Sequence, residues 1–207
     1  MRTLTVLSSS SAAFRRMPRS LNAVDANARL TAATGLVLLV LLPVEGVTLL
    51  SLRSLLTVHM LVGVALIPPI ALKLASTGYR FMRYYARDSV FREAGPPSPT
   101  MRFLVAPALV ASTVGLLSSG VGLMLIEHPS PAVYTVHKAS FIVWFGALGI
   151  HVLAYLPRLP RLVLADWARG RHGEFGRRLR RRAVAGSLLA GVVVAAVAAP
   201  IVAAWHR

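Results

Sequence analysis

Residues 55–75 read LLTVHMLVGVALIPPIALKLA, an apolar run whose only ionisable side chains are His59 and Lys73. At 1.5 Å per residue such a run makes a helix about 30 Å long, the thickness of a bilayer's hydrocarbon core. A helix of that length on a soluble domain carries a polar face, and this one has none. Four more segments have the same character, at 30–50, 103–126, 134–156 and 184–204. The chain therefore reads as all-α, a polytopic transmembrane helix bundle of about five spans. Residues 1–29 are expected to form a cytosolic, mobile tail, 30–204 the bundle, and 205–207 an outer C-terminal end.

The composition agrees. Of 207 residues, 56% are hydrophobic and 14% charged, against about 25% charged in a typical soluble domain. The formal net charge is nevertheless +16. On a soluble protein that balance points to nucleic acid. Here the basic residues are divided among the connections between apolar runs, so the expected partner is the lipid bilayer and not nucleic acid. There is no cysteine, which excludes disulfides, iron–sulfur clusters, thiolate zinc sites and covalent haem attachment.

Lys and Arg collect on the cytoplasmic side of a membrane. Arg15, Arg16, Arg19 and Arg29 precede the first run, Arg80 to Arg102 fill the second connection, and Arg158 to Arg182 fill the fourth. The first and third connections hold only Arg53 and Lys138 in or near them. The N-terminus is expected inside and the C-terminus outside, in a multi-pass protein of the plasma membrane. The basic stretch 176–182 reads as a stop for the fifth span that attracts anionic headgroups, or as a docking patch for a cytoplasmic partner.

Ionisable groups within spans are rare and point to function. Three of the six histidines lie there: His59 in the second run, His137 and His151 in the fourth. The second and fourth runs point the same way, so His59 and His137 sit at one height. His151 follows His137 by fourteen positions, about 21 Å along the same helix face. Two imidazoles facing each other from separate helices are what a six-coordinate b-type haem requires, and His59 and His137 are the candidate iron ligands. Gly63, one turn beyond His59, and Gly115, Ser118, Ser119, Gly120 and Gly122 in the third run supply room for a macrocycle or for close helix approach. The alternatives for the histidines are a structural or proton-handling role, or a different metal completed by Glu45, Glu127 or His128.

The fourteen-residue spacing of His137 and His151 resembles that in the di-haem cytochromes b of quinone-linked oxidoreductases. Two stretches, HMLVGVALIPPIALKLASTGYRFMRYYARD from His59 and HKASFIVWFGALGIHVL from His137, are also similar to small bacterial inner-membrane proteins of the cytochrome b subunit type. The resemblance covers roughly residues 55–156. It implies haem b as cofactor, quinone as a second one, and an extracytoplasmic molybdopterin or other redox partner. The chain would then be an electron-transfer subunit of an oxidoreductase and not a complete enzyme. Those families carry a second matching histidine pair, and the position fourteen after His59 is Lys73 here. One haem is therefore expected between His59 and His137, and His151 lacks a histidine counterpart.

Lys73 is expected to snorkel toward headgroups, or else to meet a haem propionate or His151, with Tyr79, Arg80 and Arg83 as further propionate donors. Glu45, the one carboxylate within a run, lies at the height of His59. It reads as a proton-transfer group coupled to quinol oxidation, or as a hydrogen-bond partner for a neighbouring helix. The Pro68-Pro69 pair should kink the second helix and free backbone carbonyls. The fifth run is expected to pack peripherally or at an oligomer interface. The competing class is a non-redox transporter or assembly scaffold, to which broken midplane helices also belong.

Overall fold

A computed structural model describes residues 19–93, 95, 98–126, 128–158 and 176–205. Among them the regular structure is entirely helical. Helix α1 (Arg19–Thr48) leads through a 3-10 turn (Leu49–Ser51) into α2 (Leu52–Tyr85). A short α3 (Ser89–Glu93) and a π-helical turn (Met101–Val105) precede α4 (Ala106–Leu125). Helix α5 is Pro131–Tyr155 and α6 is Arg177–Ala204. Each helix covers most or all of the apolar run expected for it, and α1 starts eleven residues earlier, inside the expected tail.

Four stretches are long and apolar enough to cross a membrane, the first of them Ala23–Tyr85, 63 residues in all. That first stretch is doubled back on itself. Ser51, at φ −142° and ψ 56°, breaks the helix, and α2 returns alongside α1. Asn27 Nδ2 donates to the Ser76 carbonyl (3.0 Å), and Thr31 Oγ1 to Ser76 Oγ (3.0 Å). Thr48 Oγ1 meets His59 Nδ1 at 3.0 Å at the other end. Residue numbers rise on one helix as they fall on the other, so the pair is an antiparallel hairpin.

Little of the chain is sequestered from its surroundings. Leu50, Ile142, Leu153 and Val197 are each at least 70% exposed, which is tolerable only where the surroundings are lipid. The interior clusters are small: Val64, Met124, Ala198 and Val202 in one, Leu38, Leu66 and Ile70 in the other.

Helix α2 runs unbroken through Pro68-Pro69, and its one non-helical torsion pair is at Leu55 (φ −111°, ψ 15°). The carbonyl expected to be freed at the prolines has a visible position. Pro69 lacks the N–H that would bond the Ala65 carbonyl one turn back. That carbonyl instead faces α6, so near Gly191 that a Cβ there would overlap its oxygen. A glycine Cα–H can approach a carbonyl in this way where no other residue fits. Helix α6 is thus fitted tightly along the back of α2, and Trp205 Nε1 donates to the Met124 carbonyl in the last turn of α4 (3.0 Å).

Helices α4 and α5 form a second close pair, and they meet the hairpin mainly through α2 and α4. Helix α5 packs along neither α1 nor α2. The two pairs therefore splay, and the space between them is the main cavity of the protein.

Candidate functional site

The cavity has a volume of about 1100 Å³ and is lined from α1, α2, α4 and α5, with Trp205 from beyond α6. Ordinary small-molecule pockets hold roughly 300–1,000 Å³. Its wall is mostly apolar, with Thr113, Tyr134 and Lys138 among its lining, and its ionisable groups gather mainly at two places. Glu45, His59 and His137 stand at one, and Lys73, His151 and Tyr155 at the other.

At the first place the His59 and His137 rings lie with centroids 6.5 Å apart and planes crossing at 87°. Neither ring hydrogen-bonds the other. Each is held through Nδ1 by its own surroundings. His59 Nδ1 lies 2.8 Å from Glu45 Oε1 and 3.0 Å from Thr48 Oγ1. His137 Nδ1 lies 3.2 Å from the Leu116 carbonyl and 3.1 Å from Ser119 Oγ.

These partners assign the tautomers. A carboxylate and a carbonyl only accept, so Nδ1 must carry the proton in both rings. The hydroxyls agree, because each already donates elsewhere: Thr48 Oγ1 to the Glu45 carbonyl (2.5 Å) and Ser119 Oγ to the Gly115 carbonyl (2.5 Å). Both can then accept from an imidazole N–H. In a neutral imidazole whose Nδ1 is protonated, Nε2 bears a lone pair. Metal-ligating histidines are held in this way, with the second nitrogen donating to a carboxylate or carbonyl. Two imidazoles that held one metal ion through Nε2, at about 2.0–2.1 Å each, would need their rings about this far apart.

Glycines accommodate the polar groups. A Cβ on Gly120 would stand 3.2 Å from His137 Cε1, one on Gly63 3.4 Å from Glu45 Oε1, and one on Gly35 2.9 Å from Lys73 Nζ. Gly63 therefore borders the carboxylate as well as the cavity. Gly115 makes room for Ser140, whose hydroxyl a Cβ would strike. In this bundle the small residues serve helix approach and polar side chains together.

The second place is built differently. The His151 ring tilts against Tyr155, centroids 4.9 Å apart and planes at 39°. Lys73 does not snorkel outward. Its Nζ reaches across to α1 and donates to the Thr31 carbonyl at 2.7 Å. Fourteen residues on each helix separate these groups from His59 and His137, about 21 Å of rise, too far for Lys73 to touch a propionate of a ligand bound at the first place.

The other expected donors lie elsewhere. Arg83 is paired with Asp88 (2.5 Å) and sits over the Tyr79 and Phe91 rings, and Arg80 is exposed. Arg102 bonds the Tyr85 hydroxyl and lies over Tyr84, Tyr85 and Phe103. This cluster orders the connection after α2. His128 is exposed between α4 and α5, while Glu127, His172 and His206 lie outside the described residues. Among the described residues no group of three or more His, Asp or Glu could hold a metal ion, so the alternative of a non-haem centre completed by Glu45 or His128 has no ligand set there.

Sequence reasoning missed Thr48 and the Leu116 carbonyl. Thr48 had a signal, since it falls one turn after Glu45 on the same helix face. A backbone carbonyl has none. Comparison with protein-family models, with curated proteins and with solved structures finds no match.

Proposed function

We propose that this chain is a membrane electron-transfer subunit that holds one haem b between His59 and His137. The observation that carries the reading is the pair of imidazoles 6.5 Å apart, each fixed through Nδ1 and bordering a cavity of about 1100 Å³. When bound, haem b supplies a reversible one-electron couple. The protein's own residues do the rest. His59 and His137 present Nε2 lone pairs, Glu45, Thr48, Ser119 and Leu116 keep the rings from turning, and apolar walls exclude water from the site.

Electrons pass between the quinone pool and a redox partner, of the extracytoplasmic molybdopterin type or another, that carries the substrate chemistry. The chain lies in the bacterial plasma membrane with its N-terminus inside, a topology supported by the arginines of the second and fourth connections.

The test is a dithionite-reduced minus oxidised absorption spectrum of detergent-purified protein, with a pyridine haemochrome assay for stoichiometry. A b-type α band at one haem per chain is the expected result. No band after expression with excess haem would overturn the reading and leave a non-redox transporter or scaffold.

A further inference from the structure

The two imidazoles are not held alike. His137 leans on a neutral carbonyl and a hydroxyl, whereas His59 leans on a carboxylate. An ionisable group in a membrane helix is costly, and Glu45 sits partly sequestered beside the cavity. Among the described residues it pairs with His59 rather than with a Lys or Arg. Its second oxygen, Oε2, is buried and has no hydrogen-bond partner. The carboxylate therefore acts on one neighbour, the His59 ring.

The surroundings are built for that contact. Oε1 lies against Gly63, where a Cβ would stand 3.4 Å from it. Thr48 Oγ1 donates to Glu45's own carbonyl and accepts at His59 Nδ1, tying the end of α1 to the same ring nitrogen.

We infer that Glu45 is the positioning residue of His59: it fixes the Nδ1–H tautomer, aims Nε2 into the cavity, and lowers the electron affinity of the group bound there. The last part rests on the haem reading; the tautomer part does not. A carboxylate behind a ligating imidazole makes it a stronger donor, and loss of such a partner typically costs 10–100-fold in metal affinity. A stronger donor favours the more positive, oxidised state of the metal.

Nitrogen-15 NMR of histidine-labelled, haem-free protein reads the tautomer directly, with His59→Gln identifying the signal. The wild-type His59 ring should be protonated on Nδ1. Glu45→Leu, which has no acceptor, and Glu45→Asp, too short to reach, should both shift the ring toward the Nε2–H form, with thermal melting as the check that each is folded; Glu45→Gln, whose amide oxygen still accepts, removes the charge alone. In haem-loaded protein Glu45→Gln should weaken haem binding 10–100-fold and raise the midpoint potential, a tenfold change in the redox equilibrium being about 59 mV for one electron. Glu45→Asp, which keeps the charge, should raise it less. An Nε2-protonated His59 in wild type, or an unmoved potential in a folded Glu45→Gln protein, overturns the inference. If no haem binds at all, the functional reading fails while the tautomer measurement still decides Glu45's role.

Discussion

The two ends of the cavity are instructive to compare because the backbone treats them alike. On α2 His59 and Lys73 line the cavity and on α5 His137 and His151 do, with an offset of fourteen in both, and Lys138 lines it next to His137. Each end thus receives a nitrogen-bearing side chain from each helix. At the first end both rings are pinned through Nδ1 by acceptors behind them. At the second end the imidazole leans on Tyr155 and the amine is spent on the Thr31 carbonyl. Spacing along a helix brings groups to a common height. What lies behind each ring decides whether a lone pair is presented.

The largest expected effect tests that distinction directly. His59→Ala and His137→Ala should each abolish the b-type spectrum, with haem affinity falling more than a hundredfold, since a ligand and its held orientation are both lost. His151→Ala should leave stoichiometry and α-band position unchanged. Haemochrome titration of the three variants side by side decides it, and loss of half the haem from His151→Ala would make the two ends equivalent.

A smaller effect concerns the two sides of α2, loose toward the cavity and tight toward α6. Gly191→Ala should destabilise the bundle by about 1–3 kcal/mol, the usual cost of overpacking, because the new methyl meets the Ala65 carbonyl that Pro69 leaves unbonded. Gly63→Ala, on the cavity side, meets only Glu45 Oε1 at ordinary contact distance and should melt within a degree or two of wild type. Equal melting temperatures in detergent would refute the close α2–α6 approach.

Smaller again is the effect of crowding a pinned ring. Gly120→Ala places a methyl 3.2 Å from His137 Cε1, so the ring must give by a few tenths of an ångström. A few-fold loss of haem affinity is expected, about 1 kcal/mol or less. Gly149→Ala, on the ring's own helix with open space around it, should change nothing. Identical binding isotherms would mean that the ring orientation is not under constraint.

The helices were legible in the sequence because lipid enforces continuous apolarity, which needs no knowledge of neighbours. Their ends were not: α1 is helical from Arg19, before the apolar run, and Asn27 in that stretch donates to the Ser76 carbonyl across the hairpin, a tertiary contact. The common height of His59 and His137 followed from helix direction and rise alone. The Glu45–His59 bond did not follow, because it depends on how far each helix is rotated about its axis. Lys73 shows the same limit. Position near a helix end suggested snorkelling, but Gly35 opposite leaves room for the amine and a carbonyl lies within reach. The proline pair was read as freeing carbonyls, and the Ala65 oxygen lies against Gly191 of α6 while α2 stays helical.

The smallest expected effect is the one that most sharpens the comparison. Lys73 has no carboxylate partner among the described residues, and its Nζ donates to a carbonyl that already belongs to the ladder of α1. Removing the amine therefore orphans no buried acceptor, and it relieves the cost of holding a cation away from water. Methionine keeps the length and apolar character of the lysine stem. Lys73→Met should bind the same single haem at the same midpoint potential, with a melting temperature equal to wild type or slightly higher. If the amine instead ligates or neutralises a bound group, the substitution must lower haem per chain or shift the potential. Either change would show that α2 and α5 carry two working sites, and that the tyrosine and carbonyl at the second end are resting partners displaced when the site fills.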